Sequence, residues 1–298
     1  MHWLAASLLS AFFLGLYDLS KKHAVRGNAV VPVLFLSTLC GAALWGALLA
    51  AEHLSPGLLP RQLVVRPLAL REHALIALKS AIVGSSWMFS YFALKRLPVS
   101  LASPIAATGP LWTLLGALLI LGERPNALES AGIATTLLSF AGLSLAGRAE
   151  GVRFHRDRGV LLALAGTLLN AVSSLYDKHL MGAAGFSAAE LQSWFSIWLA
   201  VFFLPFAIGW KLRLWPRNTF RWRWSIPLIT AFLLVADFVY FGALREPDAL
   251  VSVVASLRRG STLVAFAGGL WLFRESNGLR KLPAVLGILL GITLTLLG

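Results

Sequence analysis

The sequence predicts an all-α membrane protein, with ten transmembrane helices in two inverted five-helix repeats around a central cavity. Two observations predict this fold. Hydrophobic residues occupy 58% of the 298 positions and charged residues only 13%, whereas roughly 25% of the residues in a soluble protein are charged. In addition, short motifs of the first half of the chain recur in the second half.

Ten apolar stretches are long enough to cross a bilayer, which takes about 20 residues in a helix. Their approximate bounds are 3–22, 29–51, 73–94, 101–122, 127–147, 159–179, 190–210, 225–244, 249–273 and 281–298. We expect one integral membrane domain, with a first repeat at residues 1–147 and a second at 158–298. The first stretch lacks a basic flank and a small-residue cleavage site, so we expect a retained helix rather than a signal peptide.

The repeat is visible in two motifs. Leu16-Tyr17-Asp18 near the end of the first span recurs as Leu175-Tyr176-Asp177 in the sixth, and Tyr91-Phe92-Ala93 recurs as Tyr240-Phe241-Gly242. Each half holds five spans, an odd number, so the second copy must insert upside down relative to the first. Inverted repeats are typical of secondary transporters, whose substrate site lies near the membrane midplane between the halves.

Several function classes are disfavoured by the residues present. Cys40 is the only cysteine, so an internal disulfide or a cysteine-ligated metal site is impossible. The six histidines are scattered, and neither a Walker-type phosphate loop nor a dinucleotide fingerprint occurs. We therefore expect no enzyme activity, no catalytic residues, no metal and no cofactor. The expected partners are a small-molecule substrate and membrane lipids, with the chain acting as a monomer or dimer.

The net charge of +13 is unevenly distributed along the chain. Loops after spans 1, 3, 5, 7 and 9 carry 17 of the 26 Lys and Arg residues, the opposite side carries six, and three lie within spans. By the positive-inside rule, the basic loops are cytoplasmic and both termini are external. The basic, Trp-rich stretch at 210–224 is then an interfacial belt against anionic headgroups, and no nucleic-acid partner is expected.

The passage from the third to the fourth span contains Ser90-Tyr91-Phe92-Ala93-Leu94, Ser103-Pro104-Ile105 and Gly109-Pro110-Leu111. It ends at Leu121-Gly122-Glu123-Arg124, and the second copy ends similarly at Leu272-Phe273-Arg274-Glu275. This pattern resembles the drug/metabolite transporter superfamily, specifically ten-helix proteins built from two EamA-type repeats. The resemblance implies a transporter of small organic metabolites, with a cavity lined by helices 1, 3, 4, 6, 8 and 9, in the inner membrane of a bacterium. Family members usually have cytoplasmic termini, which the loop charges here contradict.

Arg258 and Arg259 interrupt the ninth span near its middle. Each costs roughly 2.5–3.5 kcal/mol to insert at that depth, so a partner or a water-filled cavity is needed. If spans 8 and 9 form an antiparallel hairpin, Asp237 lies within roughly 3 Å of the depth of Arg258. On one interpretation, Asp237 neutralises one arginine and the pair is purely structural. On the other, the second guanidinium is free to bind an anionic substrate bidentately.

Further candidates for substrate binding are Lys79, Trp87, Tyr91, Tyr240, Tyr17 and Tyr176. The aromatic rings would stack on a planar substrate or simply pack between helices. Lys79 would reach the cavity or extend its stem to the membrane interface. Gly109-Pro110 predicts a break in the fourth helix, and Gly287 with Gly291 predicts close packing against the fifth.

The Tyr-Asp motifs also predict gates. Asp18 and Lys22 near one membrane face, and Asp177 and Lys178 near the other, are ordinary helix-end ion pairs or symmetry-related gates that close the cavity in turn. An alternative alignment superimposes Lys22 on Lys178 and shifts the repeat by three residues.

The resulting hypothesis is a secondary transporter of a small anionic or zwitterionic metabolite, working by alternating access. Arginine beside Asp237 disfavours its protonation, so we expect facilitated diffusion or exchange rather than proton symport. The alternative is a flippase for a lipid-linked substrate or a non-transporting membrane scaffold.

Overall fold

The structure is a computed structural model that describes residues 2–60, 63–109, 111–112, 126–148, 154–181, 184–214, 218–244, 258, 260–275 and 278–298. Within these ranges the chain forms ten helices and no strand, which confirms the predicted all-α class. The helices are α1 His2–Val25, α2 Val30–Leu54, α3 Leu70–Arg96, α4 Val99–Ala107, α5 Ala127–Arg148, α6 Arg158–Met181, α7 Ala188–Lys211, α8 Ser225–Leu244, α9 Ser261–Leu272 and α10 Gly278–Leu297.

The helices are those of a membrane protein. By length and apolar composition, α1, α2, α3 and α7 can each cross a bilayer, and the described parts of α5, α6, α8 and α9 include shorter apolar stretches. Their outer faces carry large exposed apolar side chains such as Leu138 and Trp271. A large apolar outer surface of this kind is typical of a surface that faces a membrane, and together with the spanning helices it supports a multi-pass integral membrane protein.

Helices of the first half pack mainly against helices of the second. The pairs are α1 with α8, α3 with α6, α2 with α7, α4 with α9 and α5 with α10. Exchanging the halves converts the first pair into the second and leaves the other three unchanged. An inverted repeat would produce this pairing, although the inversion itself stays a prediction.

Glycines set the closest of these approaches. A Cβ atom added at Gly287 or Gly291 of α10 would overlap the side chains of Ser139 and Thr136 on α5. The two helices therefore touch along this strip, as the spacing of the glycines predicts.

The fourth helix ends early, as its Gly-Pro sequence predicts. α4 stops at Ala107, and the backbone N–H of Thr108 turns back to Ile105 O at 3.2 Å. Pro110 lies outside the described residues.

At one end of the bundle, charged side chains bond neighbouring helices to one another, both within the first half and between the halves. We call this end the basic end, because the loops after α1, α3, α7 and α9 meet there. The ammonium of Lys22 on α1 donates to the backbone carbonyls of Leu94, at 2.7 Å, and Leu97. The carboxylate of Glu275, after α9, accepts hydrogen bonds from the first amides of α4, Val99 N at 2.6 Å and Ser100 N at 2.8 Å.

Candidate functional site

A cavity of about 480 Å³ lies at the centre of the helix bundle. Its volume falls within the roughly 300–1,000 Å³ typical of small-molecule sites. The wall comes from α1, α3, α4, α6, α8 and α9, the helices that the family resemblance implies, with Phe195 added from α7. The lining residues are Leu14, Tyr17, Asp18, Lys21, Lys79, Val83, Ser86, Trp87, Ser90, Tyr91, Ser103, Ala106, Ala107, Gly166, Thr167, Asn170, Ser173, Phe195, Leu233, Asp237, Tyr240, Arg258, Ser261 and Thr262.

Five of the described lining residues are charged, and the balance is positive: Lys21, Lys79 and Arg258 face Asp18 and Asp237. Lys21 pairs with Asp18 at 2.6 Å, and Arg258 pairs with Asp237. Lys79 is only 7% exposed, and its ammonium lies 5.0 Å from the centre of the Phe195 ring. Charged groups at this depth persist only where they face partners or a polar cavity. Lys79 therefore belongs to the cavity, not to the membrane interface.

Arg258 makes the contact that the sequence predicts and one more. One terminal nitrogen of its guanidinium donates to the carboxylate of Asp237. The guanidinium carbon lies 4.1 Å from the centre of the Tyr240 ring, a cation–π distance. Its Nε is buried and has no hydrogen-bond partner within the described part of the chain. The predicted ion pair is confirmed, while Arg259 lies outside the described residues.

Aromatic rings surround the cations. The ammonium of Lys21 lies 4.0 Å from the centre of the Tyr17 ring and 5.9 Å from that of Tyr91. Trp87 meets Phe195 edge to face, with ring centres 6.4 Å apart and planes at 90°. Tyr17, Trp87, Tyr91 and Tyr240 thus all reach the cavity, although a stacking role for them stays a prediction.

Small polar side chains line the opposite wall, between α3 and α6, and sequence reasoning missed them. The hydroxyl of Ser86 donates to Gly166 O at 2.7 Å, and that of Thr167 to Ala163 O at 2.8 Å. A Cβ atom at Gly166 would lie 2.5 Å from Ser90 Oγ, so these helices are in close contact. The sequence feature that could have predicted this wall is a stripe of small or polar residues at helical spacing, such as Gly166, Asn170 and Ser173.

Tyr176 is the predicted binding residue that the structure does not bring to the cavity. Its hydroxyl donates to Leu75 O at 3.2 Å, and its ring packs on the separate cluster around Ile76 and Leu180. Tyr176 therefore does not occupy in the second half the cavity position that Tyr17 occupies in the first. The alternative alignment, shifted by three residues, equates Tyr17 with Ser173, which does line the cavity.

The predicted gate residues divide in a similar way. Asp18 lines the cavity beside Lys21, and Lys22 lies one step nearer the basic end, bonded to carbonyls of the first half. The side chains of Asp177 and Lys178 lie outside the described residues. The predicted gate can therefore be located on one side of the membrane only.

Comparison with known proteins bears on the family and the fold of the chain. Residues 1–145 match the model of the EamA-like transporter family, which confirms the resemblance predicted from the sequence. One solved crystal structure of a protein shares the fold, with a TM-score of 0.58 and 18% identity over 98% of this chain and 96% of that chain. It is one of 25 similar solved chains. No curated protein matches this chain.

Proposed function

We propose that this chain, whose residues 1–145 match the EamA-like transporters, is a secondary transporter of a small anionic or zwitterionic metabolite. The family match supports membrane transport of small molecules. The charge and the volume of the cavity support the narrower substrate class, and the helix pairing between the halves supports alternating access. The proposed location is the inner membrane of a bacterium.

The observation that carries this proposal is the positive balance of the buried cavity. Three cationic side chains and two carboxylates face the space of about 480 Å³. Asp18 and Asp237 each pair with one of these cations, and three cations against two carboxylates give the described lining residues a net charge of +1. An anionic substrate would neutralise that charge directly. The low dielectric constant of the surrounding protein strengthens the attraction between the substrate and the cationic side chains.

Alternating access requires that each end of the cavity can close. The Lys22 bonds to Leu94 and Leu97 join α1 to the end of α3 at the basic end, which supports a gate there. We propose that Lys22 releases these carbonyls when that end opens, and that Asp18, one turn away, holds Lys21 in both states. Exchange or facilitated diffusion is the proposed mode, because both described carboxylates of the cavity already have cationic partners.

A non-transporting scaffold needs a filled core, which does not fit a central cavity of this volume. A flippase for a lipid-linked substrate is the second candidate, and one observation favours it. A smaller pocket lies beside the cavity, between α2, α7 and α8, and is mostly apolar. An acyl chain would require that pocket to continue to the lipid.

The test is transport by the full-length protein in proteoliposomes, with panels of small organic acids, amino acids, amines and neutral sugars. We expect uptake of at least one acid or amino acid, and its loss in Lys79→Gln. Lys95→Gln on the same helix is the matched control, because Lys95 does not line the cavity. Uptake of amines or sugars alone, or equal uptake by both variants, would contradict the proposal.

A further inference from the structure

A side pocket of about 90 Å³ lies next to the central cavity. It is enclosed by α2, α7 and α8, and four residues line both spaces: Trp87, Phe195, Leu233 and Asp237. The two spaces are therefore separated by side chains and not by backbone.

The side pocket is mostly apolar, although hydroxyl residues, Gln192 and Asp237 also line it. The hydroxyls of Ser37 and Thr38 donate to Leu34 O at 2.9 and 3.0 Å. Thr230 donates to Ser37 O at 2.5 Å, and Ser196 donates to Gln192 O at 2.8 Å. Each of these hydroxyl groups already donates to a backbone carbonyl. A water molecule in the pocket would therefore find few hydrogen-bond partners to replace those it has in bulk water.

Size and position restrict what can enter. An apolar cavity of about 150 Å³ binds benzene, so a space of about 90 Å³ suits a smaller group, such as a branched chain of about four carbons. Asp237 stands at the junction of the two spaces, and its partner Arg258 faces the central cavity. A carboxylate held beside Arg258 therefore places the next few carbons of the same molecule at the entrance of the side pocket.

We infer that the side pocket is a selectivity subsite, which receives the short apolar branch of a small organic acid or amino acid. The inference rests on the proposed function, because the acid group is what the central cavity holds. Apolar contact then distinguishes members of one substrate class. Each buried methylene strengthens binding about fourfold, from about 0.8 kcal/mol.

Gly41 on α2 supplies the test. A Cβ atom added there would lie 3.5 Å from Thr230 Cγ2 and 4.0 Å from Ser196 Cβ. These are ordinary contacts, so Gly41→Ala occupies part of the pocket without strain. On the same helix, a Cβ atom at Gly46 would meet no atom within 4 Å, and Gly46 does not line the pocket. Gly46→Ala is therefore the matched control.

The experiment measures dissociation constants by calorimetry on the full-length protein in detergent micelles. The probes are two pairs of molecules that share a head group, pyruvate with 4-methyl-2-oxopentanoate and alanine with leucine. Each longer member adds three apolar carbons, so we expect it to bind at least tenfold more tightly in at least one pair. Gly41→Ala should reduce that ratio about fourfold and leave the short member unchanged, and Gly46→Ala should change neither.

The possible failures are distinguishable. If neither member of any pair binds, the acid-binding cavity itself is refuted, and this inference with it. If short and long members bind equally, or if Gly41→Ala leaves the ratio unchanged, the subsite is refuted while the proposed function stands. Hexadecanoate binding far more tightly than 4-methyl-2-oxopentanoate would also refute it, because only a pocket open to lipid can accept such a chain. Thermal unfolding of each variant identifies any that fails to fold.

Discussion

The ion pair between Arg258 and Asp237 allows the structural and the substrate-binding explanations of Arg258 to be separated. The perturbation is a cycle of three variants: Arg258→Gln, Asp237→Asn and the double variant. The side chains of the two residues are 22% and 25% exposed. Removing one partner of a fully buried pair costs about 3–5 kcal/mol, because the other charge is left uncompensated. Partial exposure lowers this cost, and we expect the free energy of unfolding to fall by about 2–3 kcal/mol in each single variant.

The double variant removes both charges and should recover most of that stability, to within about 1 kcal/mol of the wild type. Its transport should not recover, because the cavity has lost a cation that the anionic substrate needs. The assays are thermal unfolding in detergent and substrate counterflow in proteoliposomes. Recovery of transport together with stability in the double variant would refute the reasoning, since Arg258 would then serve only to neutralise Asp237.

Four further predictions follow from the loop charges, the gate, the helix packing and the cavity carboxylate. In a Cys40→Ser background, a cysteine at Thr219 should resist an impermeant maleimide in intact cells, and its labelling would place the basic loops outside. Lys22→Met should make the cavity more accessible to thiol reagents from the basic end, and unchanged labelling of cavity cysteines would exclude a gate there. Gly291→Leu should destabilise the protein by about 1–3 kcal/mol through overpacking against α5, and an unchanged unfolding temperature would contradict that contact. A pH gradient alone should drive no uptake in proteoliposomes, and uptake that disappears in Asp237→Asn would show proton coupling instead.

The sequence predicts the helices well because membrane insertion is decided locally. About 20 apolar residues satisfy their own backbone as a helix whatever their neighbours do, and each of the ten predicted spans overlaps a described helix, the fourth and ninth over part of their length. The Arg258–Asp237 pair was predictable for a related reason. Opposite charges in adjoining apolar spans are expected to pair, because each is costly alone within the membrane. The hairpin between the two spans fixes the depth of each charge in the bilayer.

Other parts of the site depend on relations that the sequence does not display. The motif shared by Tyr17 and Tyr176 is real, but a shift of three residues changes which side chain faces the cavity. Ser86 and Thr167 were missed because hydroxyl residues are common in membrane helices, where they bond to nearby carbonyls. The sequence predicts Lys22 as a gate residue but not its acceptors, because these are backbone oxygens and every residue carries one.

The carboxylate of Glu275 has a consequence for how the molecule can be divided. It accepts both Val99 N and Ser100 N at the start of α4, and Lys281, fully buried, donates to Ser100 Oγ at 2.8 Å. The first amides of α4, a helix of the first half, are thus hydrogen-bonded by a side chain of the second half. Expressed alone, residues 1–147 would leave the amides of Val99 and Ser100 without these partners at the basic end of the bundle. Two separately expressed fragments should therefore assemble with each other or be degraded, and neither should persist as a monomer.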